Sequence, residues 1–141
     1  PNVSLSPEAS WVKNNFDDLL GEVDYLSFHV HLNDSTRDIL SMANIGKLAK
    51  KPFIINVSRA ELVNYDALLA ALDGGLIKGA AIDAHYEEPT RPDDRLFSFS
   101  NVLVSPHVAG STVDSYYDTI DACLGNITRA VSGQHVQGIL V

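Results

Sequence analysis

The chain has 141 residues, of which 45% are hydrophobic and 20% charged, the composition of one globular domain long enough to bury a core. Its formal net charge of −8, from 10 basic and 18 acidic residues, leaves no basic stripe for nucleic acid or an anionic membrane surface, so neither partner is expected. The lone Cys123 excludes an internal disulfide scaffold, no apolar run nears the roughly 20 residues of a bilayer span, and a cytoplasmic protein is expected.

In chain order, Pro7–Leu20 has the pattern of one or two short helical turns. Tyr25–Val30 reads as a strand of mixed polarity. Ser41 then caps a predicted helix with Met42, Ile45 and Leu48 on one face, which Pro52 prevents from continuing. Phe53–Val57 is a nearly continuous apolar strand. Asn64 caps a second helix, with Leu68, Leu69 and Leu72 inward and Gly74-Gly75 as its exit. Gly79–Asp83 and Val102–Ser105 are two further apolar strands, separated by an 18-residue polar loop, Ala84–Asn101. Loops of that length inside a domain are usually functional or mobile. Ser111, with Asp114 three residues on, forms a capping-box pattern. Val113, Tyr116, Tyr117, Ile120, Leu124, Ile127 and Val131 then repeat at helical spacing up to a stop at Gly133. Cys123, inside that helix, reads as a small core residue.

Continuous apolar strands alternating with helices predict a parallel sheet with right-handed crossovers and helices on both faces, a single α/β domain. In such a sheet ligands bind beyond the carboxyl ends of the strands. The residues there are His29, Val30 and His31; Ser58 and Arg59; Asp83, with Glu87 and Glu88 beyond it; and Ser105-Pro106-His107. An arginine, carboxylates and a histidine on one edge are the groups needed to bind an anionic substrate and move a proton. Each also has an ordinary reading: Arg59 as a surface charge, Asp83 as a turn cap, Glu87 and Glu88 as solvated carboxylates, His107 as a packing residue. His29 and His31, two apart on a strand, would share a face, but no cysteine, further histidine or acid completes a metal site, and no metal is expected. The chain contains neither G-x-G-x-x-G nor a Walker loop.

Four segments, in order, carry a resemblance. Leu19–Leu40 (LLGEVDYLSFHVHLNDSTRDIL) resembles L-L-x-x-A-D-x-x-x-x-H-x-P-L-x-x-x-T, and Asn56–Val63 (NVSRAELV) resembles N-x-S-R-G-x-x-V. Gly79–Pro89 (GAAIDAHYEEP) resembles G-A-x-x-D-V-F-x-x-E-P, and Asn101–Thr112 (NVLVSPHVAGST) resembles N-V-x-x-T/S-P-H-x-A/G-G-x-T. Together, over about Asp17 to Gly133, they resemble the NAD-dependent D-2-hydroxyacid dehydrogenases, the family of phosphoglycerate, glycerate, formate and D-lactate dehydrogenases.

The resemblance implies a doubly wound, Rossmann-like parallel sheet, incomplete: the second half of a nucleotide-binding domain without the substrate domain. Residues 1–141 would form a partial NAD-binding domain whose C-terminal helix leads toward that other domain. Pro1 falls where the family has already passed its glycine fingerprint and ribose-binding acid, and Met42 is the only methionine, so a piece of a longer protein is expected. Arg59 matches the arginine that grips the substrate carboxylate, and a guanidinium fork suits that task. His107 matches the acid/base that protonates the carbonyl oxygen as hydride arrives. Glu88, directly before Pro89, matches the carboxylate that supports the imidazole. Asp83 matches the residue that anchors the nicotinamide carboxamide. His29, Val30, Val57, Ser58 and the His107, Val108, Ala109, Gly110 turn would line the cofactor, NAD, with NADP left open. His31, Ala60 and Ala84 depart from the family's Pro, Gly and Val, and none removes a catalytic group. The implied activity is hydride transfer between NAD(H) and a 2-hydroxy or 2-oxo acid by a homodimer. The alternative is a dehydrogenase-like NAD-sensing binding or corepressor module without turnover.

Overall fold

Four short strands, β1 (Tyr25–Phe28), β2 (Phe53–Asn56), β3 (Gly79–Ile82) and β4 (Val102–Val104), lie side by side in sequence order in the computed structural model, which describes residues 15–138. Every pair is parallel, with Tyr25 opposite Phe53, Phe53 opposite Gly79, and Ala80 opposite Val102. The four apolar runs therefore form the predicted parallel α/β sheet, each strand one or two residues shorter at its carboxyl end. The chain divides between Pro106 and His107 into two units, described separately below.

Among the described residues the first unit has five helical segments, two α-helices and three 3-10 turns. Helix α1 (Phe16–Leu20) is capped by the Asn15 side chain, which accepts from the Asp17 N–H at 3.1 Å. Residues 7–14 of the predicted helical turns lie outside the described residues. Helix α2 (Tyr65–Asp73) starts at the predicted cap, with Asn64 Oδ1 accepting from the Ala67 N–H, and ends at Gly74. Leu68, Leu69 and Leu72 all face inward as expected.

The helix predicted after Ser41 is a correction. Only a 3-10 turn, Ile45–Lys47, forms, and Met42 is exposed while Ile45 and Leu48 are buried. Asn44 explains this: its Oδ1 accepts from the Ser41 N–H (2.8 Å) and its Nδ2 donates to the Ile39 carbonyl (2.8 Å). A side chain that bonds its own local backbone competes with helix propagation, and Gly46 adds a further cost.

Burial alternates along the strands. Leu26, Phe28, Ile54, Ala80 and Ile82 join Leu20, Leu40, Leu62, Leu68 and Leu96 in one apolar cluster. On the opposite face Tyr25 is 67% and Leu103 71% exposed. Among the described residues of this unit, the buried apolar cluster lies on one face of the sheet. Gly79 has a steric reason: a Cβ there would overlap the Asn101 carbonyl oxygen, where the chain enters β4.

The second unit is built on α3 (Val113–Val131). Its cap is Thr112, whose Oγ1 accepts from the Ser115 N–H at 3.1 Å, and not Ser111 as predicted. In this Ser-Thr pair the second hydroxyl sits three residues ahead of Ser115, so the helix starts one residue later. The chain leaves it at Gly133, whose φ of +68° suits a glycine. The predicted periodicity is present, yet no residue of α3 is buried, and Cys123 is exposed, correcting its assignment to a core. Among the described residues no helix is long and apolar enough to cross a membrane.

Candidate active site

Phe28, Asn56, Ile82 and Val104 are partners in register, so the four strands end at one level. Residues just past these ends therefore share one edge. β1 stops at Phe28, so His29 and His31 follow the strand instead of sharing a face on it, a further correction. His29 Nε2 is 2.7 Å from the Ser27 hydroxyl, which turns the ring back along its own strand. Among the described residues no three His, Cys, Asp or Glu side chains are grouped to hold a metal ion.

The turn after β2 is set by Asn56, which is 1% exposed. Its Oδ1 accepts from the Ser58 N–H (3.2 Å) and its Nδ2 donates to the Arg59 carbonyl (2.8 Å). A buried amide must find such partners, and here they are the backbone of the residues that follow. The Ser58 hydroxyl donates to the Val30 carbonyl at 2.9 Å and ties the exits of β1 and β2 together. Beyond Arg59 a 3-10 turn, Ala60–Leu62, buries Ala60 and Leu62 and so anchors the arginine's backbone. The Arg59 side chain is exposed, with Nη1 donating to the Ser58 carbonyl at 2.7 Å. A guanidinium carries five N–H donors, so a planar carboxylate can still be held.

Past β3, Asp83 is 3% exposed, and its Oδ1 accepts from the Ser105 hydroxyl at 2.6 Å. Its N–H donates to the Asn56 carbonyl at 3.0 Å. The exposed Glu88 accepts, through Oε1, the His85 N–H at 3.0 Å. His85 Nε2 lies 2.7 Å from the Ser105 carbonyl. A carbonyl only accepts, so that nitrogen carries the proton.

The 18-residue stretch after β3 is anchored at several points. Tyr86 donates its hydroxyl to the Val63 carbonyl (2.6 Å) and meets Tyr65 edge-on, with centroids 4.8 Å apart. Tyr65 donates to Asp94 (2.9 Å), and Arg95 pairs with Asp73 (2.7 Å). Residues 95–98 form a 3-10 turn that buries Leu96. Burial, with a smaller contribution from the negative charge of Asp38, holds the Tyr86 hydroxyl pKa above its ordinary 10.0.

In the second unit His107 has φ +56°, the left-handed region that side-chain-bearing residues rarely take. Such outliers persist where surroundings over-determine them, and they gather at functional positions. His107, Val108, Ala109 and Gly110 are all exposed.

Of the predicted site residues, His29, Val30, Val57, Ser58, Arg59 and Asp83 thus lie at the carboxyl edge of the sheet, with Glu88 on the loop after β3. The edge fits one end of a dinucleotide. Val30 is 43% and Val57 38% exposed, apolar surface for a ring. Two residues of this edge lie inside the motifs but had no role assigned from them: Asn56, which fixes the arginine turn, and His85, which bridges to Ser105. The sequence signals for Asn56 are the leading asparagine of N-x-S-R-G-x-x-V and an amide closing an apolar strand.

A profile of the family described as D-isomer specific 2-hydroxyacid dehydrogenase, NAD binding domain, matches residues 3–109. A glyoxylate reductase of Thermofilum pendens is 32% identical over 120 residues, covering 85% of this chain and 35% of the relative. An NADPH-dependent glyoxylate/hydroxypyruvate reductase from Sinorhizobium meliloti, solved with NADP and sulfate, superposes with a TM-score of 0.78 at 29% identity over 88% of this chain and 40% of that one. D-lactate dehydrogenase of Lactobacillus jensenii, solved with NAD+, gives 0.80 at 27% identity over 90% of this chain and 42% of that one. The chain thus spans between 35% and 42% of the length of these relatives.

Proposed function

Because the chain belongs to the D-isomer specific 2-hydroxyacid dehydrogenases, matching their NAD-binding domain, we propose that the protein carrying it moves a hydride between NAD or NADP and a small 2-oxo or 2-hydroxy acid. The observation that carries this reading is Arg59, set at the carboxyl edge of a parallel sheet by the buried Asn56 with its guanidinium outward. A cation fixed by its backbone and exposed by its side chain suits an anionic substrate.

Val30, Val57 and Ser58 would line the nicotinamide end of the cofactor, with His29 beside them, and the Asp83 carboxylate would accept from the carboxamide. Val108, Ala109 and Gly110 are the remaining lining residues in this proposal. Bound there, the dinucleotide supplies or accepts the hydride. The rest is the work of side chains. Arg59 holds the substrate carboxylate and so orients the 2-oxo group. His107 delivers a proton to the carbonyl oxygen during reduction and takes it from the hydroxyl during oxidation, a contribution of about 10²–10⁴-fold. Glu88 favours the protonated imidazole by its negative charge.

The relatives reported above are named for turnover, which favours a dehydrogenase over a binding module that only senses the cofactor. Two further expectations belong to the same reading. The exposed apolar stripe of α3 supports an assembled form, a homodimer, which sedimentation of the full-length protein would test. The single unpaired Cys123 supports a reducing compartment, the cytoplasm, testable by fractionation. The proposal itself is tested by incubating the full-length protein with NADH or NADPH and glyoxylate, hydroxypyruvate or pyruvate. Oxidation of the nicotinamide with formation of the matching 2-hydroxy acid is expected. Tight cofactor binding without turnover on any 2-oxo acid would move the protein to the binding-module class.

A further inference from the structure

We propose that His85 is a positioning residue for the proton-transfer groups, holding Glu88 and the Ser105 carbonyl in fixed relation; this rests on the dehydrogenase reading above. His85 makes two hydrogen bonds through two different parts of the residue. Its backbone N–H donates to Glu88 Oε1 at 3.0 Å. Its ring Nε2–H donates to the Ser105 carbonyl at 2.7 Å. Ser105 is held a second time by its hydroxyl on Asp83 (2.6 Å) and a third time by its N–H on the Ile82 carbonyl (3.0 Å). One imidazole thus joins the loop that carries Glu88 to the exit of β4, two residues ahead of His107 in the sequence. In the motif G-A-x-x-D-V-F-x-x-E-P a phenylalanine stands at this place, and its ring could pack there but donate nothing. The N–H that closes this bridge has no counterpart in that motif's phenylalanine.

Position matters because displacements of about 1 Å at a reacting group can cost up to 10²-fold in rate. A half-buried ring with one strong acceptor limits such displacement. Replacing it with Phe keeps the ring and removes the donor. Replacing it with Gln keeps an N–H at a similar reach.

The test uses the full-length protein. In the imidazole nitrogen spectrum of the wild type, His85 should carry its proton on Nε2, and a proton on Nδ1 with Nε2 bare would overturn the proposal without any variant. In steady-state reduction of a 2-oxo acid, His85→Phe should lower kcat by about tenfold or more, with KM for the nicotinamide nearly unchanged. His85→Gln should return kcat close to wild type, a rescue that simple packing would not produce. His85→Phe turning over like wild type, or His85→Gln falling as far as His85→Phe, would contradict the proposal. A wild type inactive on every 2-oxo acid overturns the dehydrogenase reading alone. The nitrogen spectrum still decides whether His85 forms the bridge.

Discussion

Arg59 and Asn56 show how a single residue's function can depend on a buried neighbour. The guanidinium is the group that would meet substrate, yet its place is set by an amide that is 1% exposed. Replacing Asn56 with Ala would leave the Arg59 carbonyl and Ser58 N–H without their partner. The expected cost is about 1–3 kcal/mol of stability, read from the urea midpoint. A variant as stable as wild type would show that water serves the turn equally well. Arg59→Ala in the full-length protein should raise KM for the 2-oxo acid and lower kcat, while leaving nicotinamide affinity nearly unchanged. Unchanged oxo-acid kinetics would remove Arg59 from the site. The sheet edge was legible in the sequence as a set of strand-end residues, because a parallel sheet puts whatever follows each strand on one edge. The bonds among them were not legible. Nothing in the order His85-Tyr86-Glu87-Glu88 announces that the imidazole reaches across to Ser105.

Elements were read well where burial decided them and less well where local side chains did. Continuous apolar runs such as Phe53–Val57 gave strands, and the Asn64 cap and Gly74 exit gave α2. The helix expected after Ser41 failed because Asn44 bonds its own backbone on both sides, a competition that apolar spacing does not report. The loop after β3 looked irregular in sequence because its anchors, such as Tyr86 on Val63, are distant in the chain. Removing that hydroxyl with Tyr86→Phe should cost about 1 kcal/mol near neutral pH. The alkaline behaviour has a definite sign. A folded pKa raised above the ordinary 10.0 gives stability that is present below that value and is lost as pH rises toward the folded pKa. Wild-type unfolding should therefore become easier above about pH 10, and the Tyr86→Phe variant should show a shallower decline. Identical alkaline limbs would mean that Tyr86 ionises as freely folded as unfolded. In β3, Gly79→Ala should destabilise by about 2 kcal/mol or more, since the new methyl meets the Asn101 carbonyl backbone. A variant with an unshifted melting temperature would show that β4 can move aside.

Among the described residues, apolar side chains are exposed on the sheet face with Tyr25 and Leu103 and along the α3 stripe, where Val131 is 85% and Tyr116 68% exposed. Periodicity correctly placed the helix but is silent on what lies against it. That is why Cys123 looked internal and is exposed. The 141-residue chain contains no G-x-G-x-x-G, the turn that seats a pyrophosphate on a helix N-terminus. Produced by itself, it should bind NADH far more weakly than the full-length protein, as read by titration calorimetry. Micromolar binding by this chain alone would show that the nicotinamide-side residues suffice. The claim that orders all of this is that His107 moves the substrate's proton. It is tested most directly by His107→Ala in the full-length protein, with NADH binding followed by fluorescence and 2-oxo acid reduction by NADH consumption. NADH affinity should stay nearly unchanged while turnover falls by about 10²–10⁴-fold. Reduction at the wild-type rate without the imidazole would contradict proton transfer by His107.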